Sequence, residues 1–315
     1  MSDAPLAQPW FGLGQVALPF SVGDLMSHAV NLIRFLRTHP IGGKHPWRSL
    51  ARALRWQLRS RFSPAIEVGW IDGSVLVASR GMTAATGNIY CGLYECADMA
   101  LLLHLLRTDD LFVDVGANIG SYTILAAKVC GCPSMSVEPG GPALAALRRN
   151  ISANGISGVV SVQPVAVGAA DTEVLFSSDL GTMNHVLDTE TSSHKSPGAV
   201  RVPMRTLDSL LPSSGRWPTL IKVDVEGFEQ QVLEGAARTL GNSSLLALLL
   251  ETVTTKSAAM LNSHGFEEAS YDPFSRVLGS PGQYRMNNRL FVRNPDQIDA
   301  RVKRAPIRTI HGVLI

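Results

Sequence analysis

Apolar positions along this chain change their spacing from region to region, and the changes mark out its elements. Over residues 21–38 Leu25, Ala29, Leu32, Ile33 and Leu36 recur at helical spacing, with Pro40 just past the end. Residues 46–62 form a second helical stretch, in which Trp47, Leu50, Leu54 and Leu58 lie roughly opposite a stripe of Arg48, Arg52, Arg55 and Arg59. The period then falls to two. Residues 66–71 and 74–78 flank Asp72-Gly73, a pair suited to a type I′ turn, and predict a β-hairpin. Residues 81–95, rich in Gly and Thr, predict a loop that could cover a ligand mouth. Residues 98–107 predict an apolar helix in which His104 is a packed core residue.

From residue 111 onward, short apolar runs alternate with helical stretches in the manner of a parallel α/β sheet. The runs at 111–115, 134–137, 159–162, 219–223 and 244–250 predict core strands, the last so rich in Leu and Ala that both its faces should be buried. Residues 122–129, 143–154 and 230–240 predict crossover helices, the second opened by Pro142 and stopped by Gly155. Residues 172–176 and 200–204 predict an added hairpin around a polar segment, 177–198, that carries Thr182, Asn184 and His185 and is expected to be a substrate lid. A helix at 257–264 and strands at 266–271 and 289–293 follow. The expected organisation is a basic helical extension (1–64), a hairpin and lead-in (65–106), a ligand-binding α/β domain (107–295) and a basic tail (296–315).

Composition narrows the class. With 45% hydrophobic and 17% charged residues and a net charge of +2, the chain is on the apolar side of globular and needs no polyanionic partner to balance it. Nucleic acid is not expected, because beyond Trp47 and Trp56 there is no aromatic platform. Cys91, Cys96, Cys130 and Cys132 show neither zinc spacing nor a disulfide framework. The first residues lack a basic-then-apolar leader and no run approaches membrane-span length, so a soluble, cytoplasmic protein is expected. Local charge departs from this in one place. Between Asp24 and Glu67 there is no acid, while Arg34, Arg37, Lys44 and Arg61 join the arginine stripe. Such a helix is either a solvated face packed on the rest or, through Arg48, Arg52, Arg55 and Arg59, a peripheral contact with an anionic membrane surface or carrier.

The densest chemistry follows the first core strand, in Leu111-Phe-Val-Asp114-Val-Gly116-Ala-Asn118-Ile-Gly120. A strand, a glycine-bearing turn and a helix N-terminus make a prepared ligand site, because the first helical amides have no internal partners. The glycine order is D-x-G-x-N-x-G, not the G-x-G-x-x-G of a dinucleotide site. An acid at the strand tip suits the sulfonium and ammonium of S-adenosylmethionine better than a pyrophosphate, which disfavours an NAD-dependent oxidoreductase. Glu138 ends the next strand about 20 residues on, where such folds place the carboxylate that accepts ribose hydroxyls. A silent binding module is disfavoured by the retained loop.

With these residues in place, the chain resembles the FkbM family of methyltransferases, a branch of the class I S-adenosylmethionine-dependent fold. The resemblance rests on Phe112 to Ser121, Glu138-Pro139, Ala166-Val-Gly168, Thr206-Leu-Asp208 and Ile221-Lys-Val-Asp-Val-Glu-Gly-Phe-Glu229, and the lead-in Gly87-Asn-Ile-Tyr90 with Glu95 also fits. It implies a seven-stranded, mostly parallel Rossmann-like sheet with one antiparallel C-terminal strand, and O-methylation of a hydroxyl on a sugar or natural product. It also implies that Asp114, Gly116, Asn118 and Gly120 surround the methionine end, with Glu95 in the lead-in. Glu138 would hold the ribose, the turn to Ala166 would border the adenine, and Asp224 would stand at the reaction centre. Asp224 and Glu226 are then the best-placed bases, with His185 as the alternative. No metal is expected, although Asp224, Glu226 and Glu251 could gather a divalent ion through oxygen.

Overall fold

Strands apolar on both faces dictate the centre of the fold. The computed structural model describes residues 22–177, 186–187, 199–211 and 215–315. Helices α1 (Val22–Thr38) and α2 (Pro46–Arg59) come first, then the hairpin β1 (Ile66–Gly69) and β2 (Val75–Ala78), α3 (Thr83–Cys91) and α4 (Cys96–Leu105). The α/β body begins with β3 (Phe112–Val115), α5 (Ser121–Ile124) continued by a π-helix over Leu125–Val129, β4 (Ser134–Val137), α6 (Gly141–Ala153) and β5 (Val160–Gln163). An inserted small sheet comprises β6 (Ala166–Val167), β7 (Thr172–Ser177), β8 (Val186–Leu187) and β9 (Ala199–Arg205). The body resumes with α7 (Leu207–Leu210), β10 (Leu220–Val223), α8 (Glu229–Glu234), α9 (Ala237–Gly241), β11 (Ala247–Leu250) and α10 (Thr255–Ser263). It closes with β12 (Glu267–Asp272), β13 (Val277–Gly279), β14 (Arg289–Val292), α11 (Pro295–Lys303) and the hairpin β15 (Thr309–Ile310) and β16 (Val313–Leu314).

The main sheet has the order β13-β12-β14-β11-β10-β3-β4-β5. Strands β11, β10, β3, β4 and β5 are parallel, and every residue of β3, β4, β10 and β11 is buried. The expectation of seven strands with one antiparallel member is corrected among the described residues to eight, with β14 and the short β13 running against the rest. The chain leaves β3 in one direction through β4 and β5 and returns to its other side through β10 and β11. This reversal opens a crevice at the carboxyl ends of β3 and β10, where α/β sheets bind ligands.

Several expectations change for physical reasons. Residues 81–95 do not form a loop throughout, because α3 occupies most of them. Gly87 has no Cβ, and one built there would lie 2.2 Å from the Tyr94 ring, so its absence lets that ring pack against the helix while Ala85, Ile89 and Cys91 are buried. The helix expected over 230–240 is two helices, because the chain bends at Gly235, where an added Cβ would meet the carbonyl oxygen of Gly168 at 2.1 Å. The basic tail is no tail: Ile298, Val302, Ile310 and Ile315 are buried in the same core as α4 and β3. The described part of the extension, residues 22–64, is likewise joined to the body, since Leu36, Ala53 and Trp56 share a core with Ile66, Leu76, Ile119 and Ile124. The segment 178–185, with Thr182, Asn184 and His185, lies outside the described residues. Among the described residues no helix is long and apolar enough to cross a membrane.

The hairpin has the expected turn, with Asp72 at φ 46° and Gly73 at φ 78°. Its free side is held by α6. Asn150 accepts from Val77 N at 2.7 Å and donates to Val77 O at 3.2 Å, and Asn154, one turn on, accepts from Val75 N and donates to Val75 O, each at 2.9 Å. Asn150 also donates to Ile119 O at 2.9 Å, so one amide ties hairpin, helix and glycine loop together.

At the other end of the body, Asp98 in the first turn of α4 is fully buried and accepts from Asn288 N (2.8 Å), Asn288 Nδ2 (2.7 Å) and Asn287 N (3.3 Å), which fixes the approach to β14. Asp98→Ala strands these buried donors. It is expected to cost about 2–3 kcal/mol in urea unfolding, and a cost under about 0.5 kcal/mol would show that Asp98 does not organise this junction.

Candidate active site

The loop after β3 is shaped by what must pass close to it. Gly116, Asn118 and Gly120 all have positive φ (77°, 51° and 89°). A Cβ on Gly116 would sit 1.9 Å from the Asp224 carbonyl oxygen, so only glycine lets the ends of β3 and β10 approach each other. A Cβ on Gly120 would strike Leu147 of α6. Both Gly116 and Ala117 donate to Val137 O at 3.0 Å, which locks the loop to the end of β4.

Glu138 stands at that end, 6% exposed. Its Oε2 accepts from Asn118 N at 2.9 Å and its Oε1 from Gly140 N at 2.8 Å. Burial pushes its carboxyl up to about 7, against the pull of these two amides. A carboxylate has about four lone-pair positions, so two remain, the number a vicinal diol needs. Glu138 N donates to Gln163 O, which sets residues 163–165 beside it. Ala166 itself packs with Phe176, Val202 and Met204 in the core of the small sheet.

The centre of the site is a lysine that the sequence reading passed over as a site residue. Lys222, 4% exposed, occupies an otherwise apolar strand and is in register with Asp114 on β3, itself in register with Ser136 on β4. Its ammonium lies 2.7 Å from Asp224 Oδ2 and 4.8 Å from the centre of the Tyr122 ring. Tyr122 donates to Glu95 Oε2 at 2.5 Å. Asp114 Oδ2 accepts from Thr123 Oγ1 at 2.7 Å, and that hydroxyl is 2.7 Å from Ser136 Oγ. Burial alone would lower Lys222, but the attraction of Asp224, Glu95 and Asp114 outweighs it and holds the ammonium above its ordinary value. Burial raises Glu95 and Asp114, with Lys222 opposing. Asp224 ends below the usual carboxylate range, because Lys222 more than offsets its burial.

Beyond Asp224 the chain turns through Glu226 and Gly227, both at positive φ (52° and 92°). The buried Glu229 carboxylate holds this turn by accepting from Val225 N and Gly227 N at 3.3 Å. The turn brings oxygens of Asp224, Glu226 and Glu251 within 4.8 Å of one another. Glu251 hydrogen-bonds Asp224, and burial together with the charges of Asp224 and Glu226 pushes it up to about 8. Oxygens this close could share a divalent ion, and equally a proton. The raised Glu251 is what a shared proton produces.

The structure therefore brings together Glu95, Asp114, Gly116, Asn118, Gly120, Glu138, Asp224 and Glu226 at one end of the sheet, and adds Lys222, Tyr122 and Glu251. A charged residue amid Leu220, Ile221 and Val223 was the available signal for Lys222, since a buried ammonium requires a counter-charge. Lys222→Met leaves these acids without it. The variant is expected to lose about 3–5 kcal/mol at pH 7.5. The loss should shrink toward pH 5, because raised carboxyls take up protons there instead of staying charged. Equal losses at the two pH values in urea unfolding would contradict this account.

The residues fit S-adenosylmethionine. Three acids (Glu95, Asp114 and Asp224) face one lysine and two more (Glu226 and Glu251) lie beside Asp224, so acidic groups outnumber the cation where the cofactor's cationic end would lie, and Glu138 offers the diol acceptor. Among solved structures, a methyltransferase FkbM from Methylobacillus flagellatus KT is 16% identical, with a TM-score of 0.40 over 59% of this chain and 44% of that one, so this chain spans less than half of its length. A precorrin-6y C5,15-methyltransferase from Geobacter metallireducens GS-15 is 17% identical, with a TM-score of 0.34 over 62% and 83%. The TYW2 protein of M. jannaschii, solved with AdoMet, is 13% identical, with a TM-score of 0.35 over 73% and 87%. No curated protein matches the chain. Residues 114–252, which hold the glycine loop, Glu138, Lys222, Asp224 and Glu251, match the family model described as the methyltransferase FkbM domain.

Proposed function

We propose that this protein is an S-adenosylmethionine-dependent O-methyltransferase whose acceptor is a hydroxyl on a sugar or natural product. The observation that carries the reading is the surplus of acidic groups over cation at the carboxyl ends of β3 and β10. A dinucleotide pyrophosphate brought to the same place would face like charge, which disfavours NAD. When bound, S-adenosylmethionine supplies a methyl group on a positively charged sulfur. The chain's own residues do the rest. Glu138 holds the ribose diol, and Gly116 and Gly120 let the loop pack against Asp224 and Leu147, which fixes its place beside the cofactor. Lys222 keeps Asp224 ionised and fixed, and Tyr122 and Thr123 orient Glu95 and Asp114. Alignment of acceptor and donor by such a frame is worth about 7–11 kcal/mol of barrier.

A hydroxyl must also lose its proton, and a placed base contributes about 10²–10⁴ in rate. Asp224 is a weak base, because Lys222 stabilises its charge. Glu251, pushed to about 8 and bonded to Asp224, is the better proton acceptor, with Glu226 on the adjoining turn as its neighbour. This reading moves the base from Asp224 to the Asp224–Glu251 pair.

Calorimetric titration with S-adenosylhomocysteine tests the cofactor assignment. Binding in the range of about 1 μM to 1 mM is expected, none is expected for NAD, and Glu138→Gln should weaken the former about tenfold or more, or about 1.4 kcal/mol. Failure of well-folded protein to bind S-adenosylhomocysteine would overturn it. Once an acceptor is in hand, the methylation rate should rise with pH through about 8, as Glu251 ionises. Glu251→Gln should flatten that rise, and an unchanged profile would remove Glu251 from the role of base.

A further inference from the structure

Helix α2 is turned inside out. Its face toward the protein is made of the buried Ser49, Ala53 and Trp56, with half-buried Leu50 at its edge and buried Ser60 just past its end. Arg52 also turns inward and donates to Tyr90 O at 2.8 Å and Ser49 Oγ at 2.9 Å, so it leaves the arginine stripe expected from its spacing. Four large apolar residues face the other way: Trp47 is 81% exposed, Leu54 61%, Leu58 59% and Phe62, just past the helix, 80%. At about 100° per residue, Trp47, Leu54 and Leu58 fall within about 40° of one another. Exposed Arg48, Arg55 and Arg59 line one flank, and Arg61 and Lys44 stand beyond the two ends. Packed beside α2, α1 adds exposed Val30, Ile33, Arg34 and Arg37.

We propose that this face docks on the surface of an anionic lipid bilayer. An apolar stripe bordered by arginines is the arrangement of a helix lying in the interface plane, with its apolar chains about 5–10 Å into the headgroup boundary and its guanidinium groups at the phosphates. The absence of any acid between Asp24 and Glu67 leaves the face uniformly positive. That charge also argues against a second copy as the occupant, because a two-fold contact through this face would set one arginine row against another. The docked helix is joined to the site: Arg52 and Gln57 bond Tyr90 of α3, and Asn88 of the same helix donates to Ser121 Oγ, directly after the glycine loop.

The test is flotation of the full chain with vesicles of phosphatidylcholine alone or mixed with phosphatidylglycerol. Preferential flotation with the mixed vesicles is expected, by about tenfold, and it should weaken between about 0.05 M and 0.5 M salt. Leu54→Gln/Leu58→Gln and Arg48→Gln/Arg55→Gln should each reduce it about tenfold, with unchanged thermal unfolding, since all four side chains are exposed. No flotation, equal flotation with neutral vesicles, or flotation unaffected by both variants would overturn the proposal. So would a dimer in sedimentation that Leu54→Gln/Leu58→Gln abolishes, which would give the face to a second copy.

Discussion

The Lys222 ammonium is the charge on which the site depends. It sits in a sheet interior where an unpaired ion is costly, and it is kept there by Asp224 at 2.7 Å with Asp114 and Glu95 around it. The dependence is mutual, since none of those acids would hold a charge at this depth without it. Strand register makes the arrangement possible, because parallel pairing sets Ser136, Asp114 and Lys222 side by side across β4, β3 and β10. Tyr122 and Thr123 then close the polar row from the helix above. The result is a rigid, acid-rich floor with one fixed cation.

The motifs that carry the family resemblance divide by what they touch. Phe112 to Ser121, Glu138 and the Lys222–Glu226 run build the site. Ala166-Val-Gly168 and Thr206-Leu-Asp208 build the scaffold around it. Gly168 lies where the chain meets Gly235, and Asp208 accepts from Arg238 N at 2.7 Å and Thr239 N at 2.9 Å to open α9. Glu229 belongs to both groups, since its carboxylate shapes the turn from which Glu226 projects.

The order of strands and crossovers, the hairpin turn and most of the acid-bearing residues were legible in the sequence, because each writes a local signal: an apolar run, a turn pair, an acid at a strand end. What was not legible depends on distant partners. Helix α3 needs the Tyr94 ring beside Gly87, the break after α8 needs Gly168, and the burial of α11 needs the core around α4. Lys222 was hidden because its meaning lies in the neighbouring strands. For α2 the periodicity was right, and the spacing left its direction open. Amphipathic spacing does not say which face turns inward, and here Ser49, Ala53 and Trp56 turn inward with Leu50 at their edge, while Leu54 and Leu58 face out.

The pairing of Asn150 and Asn154 with Val77 and Val75 has a consequence for association. A two-stranded sheet has two open edges, each a template on which a strand of another chain can add. Along β2 that template is already filled by side-chain amides fixed on α6, which supply a donor and an acceptor to each of two valines. The hairpin is thereby sealed on one side without a third strand, and any intruding strand would have to displace groups that also anchor Ile119 of the glycine loop.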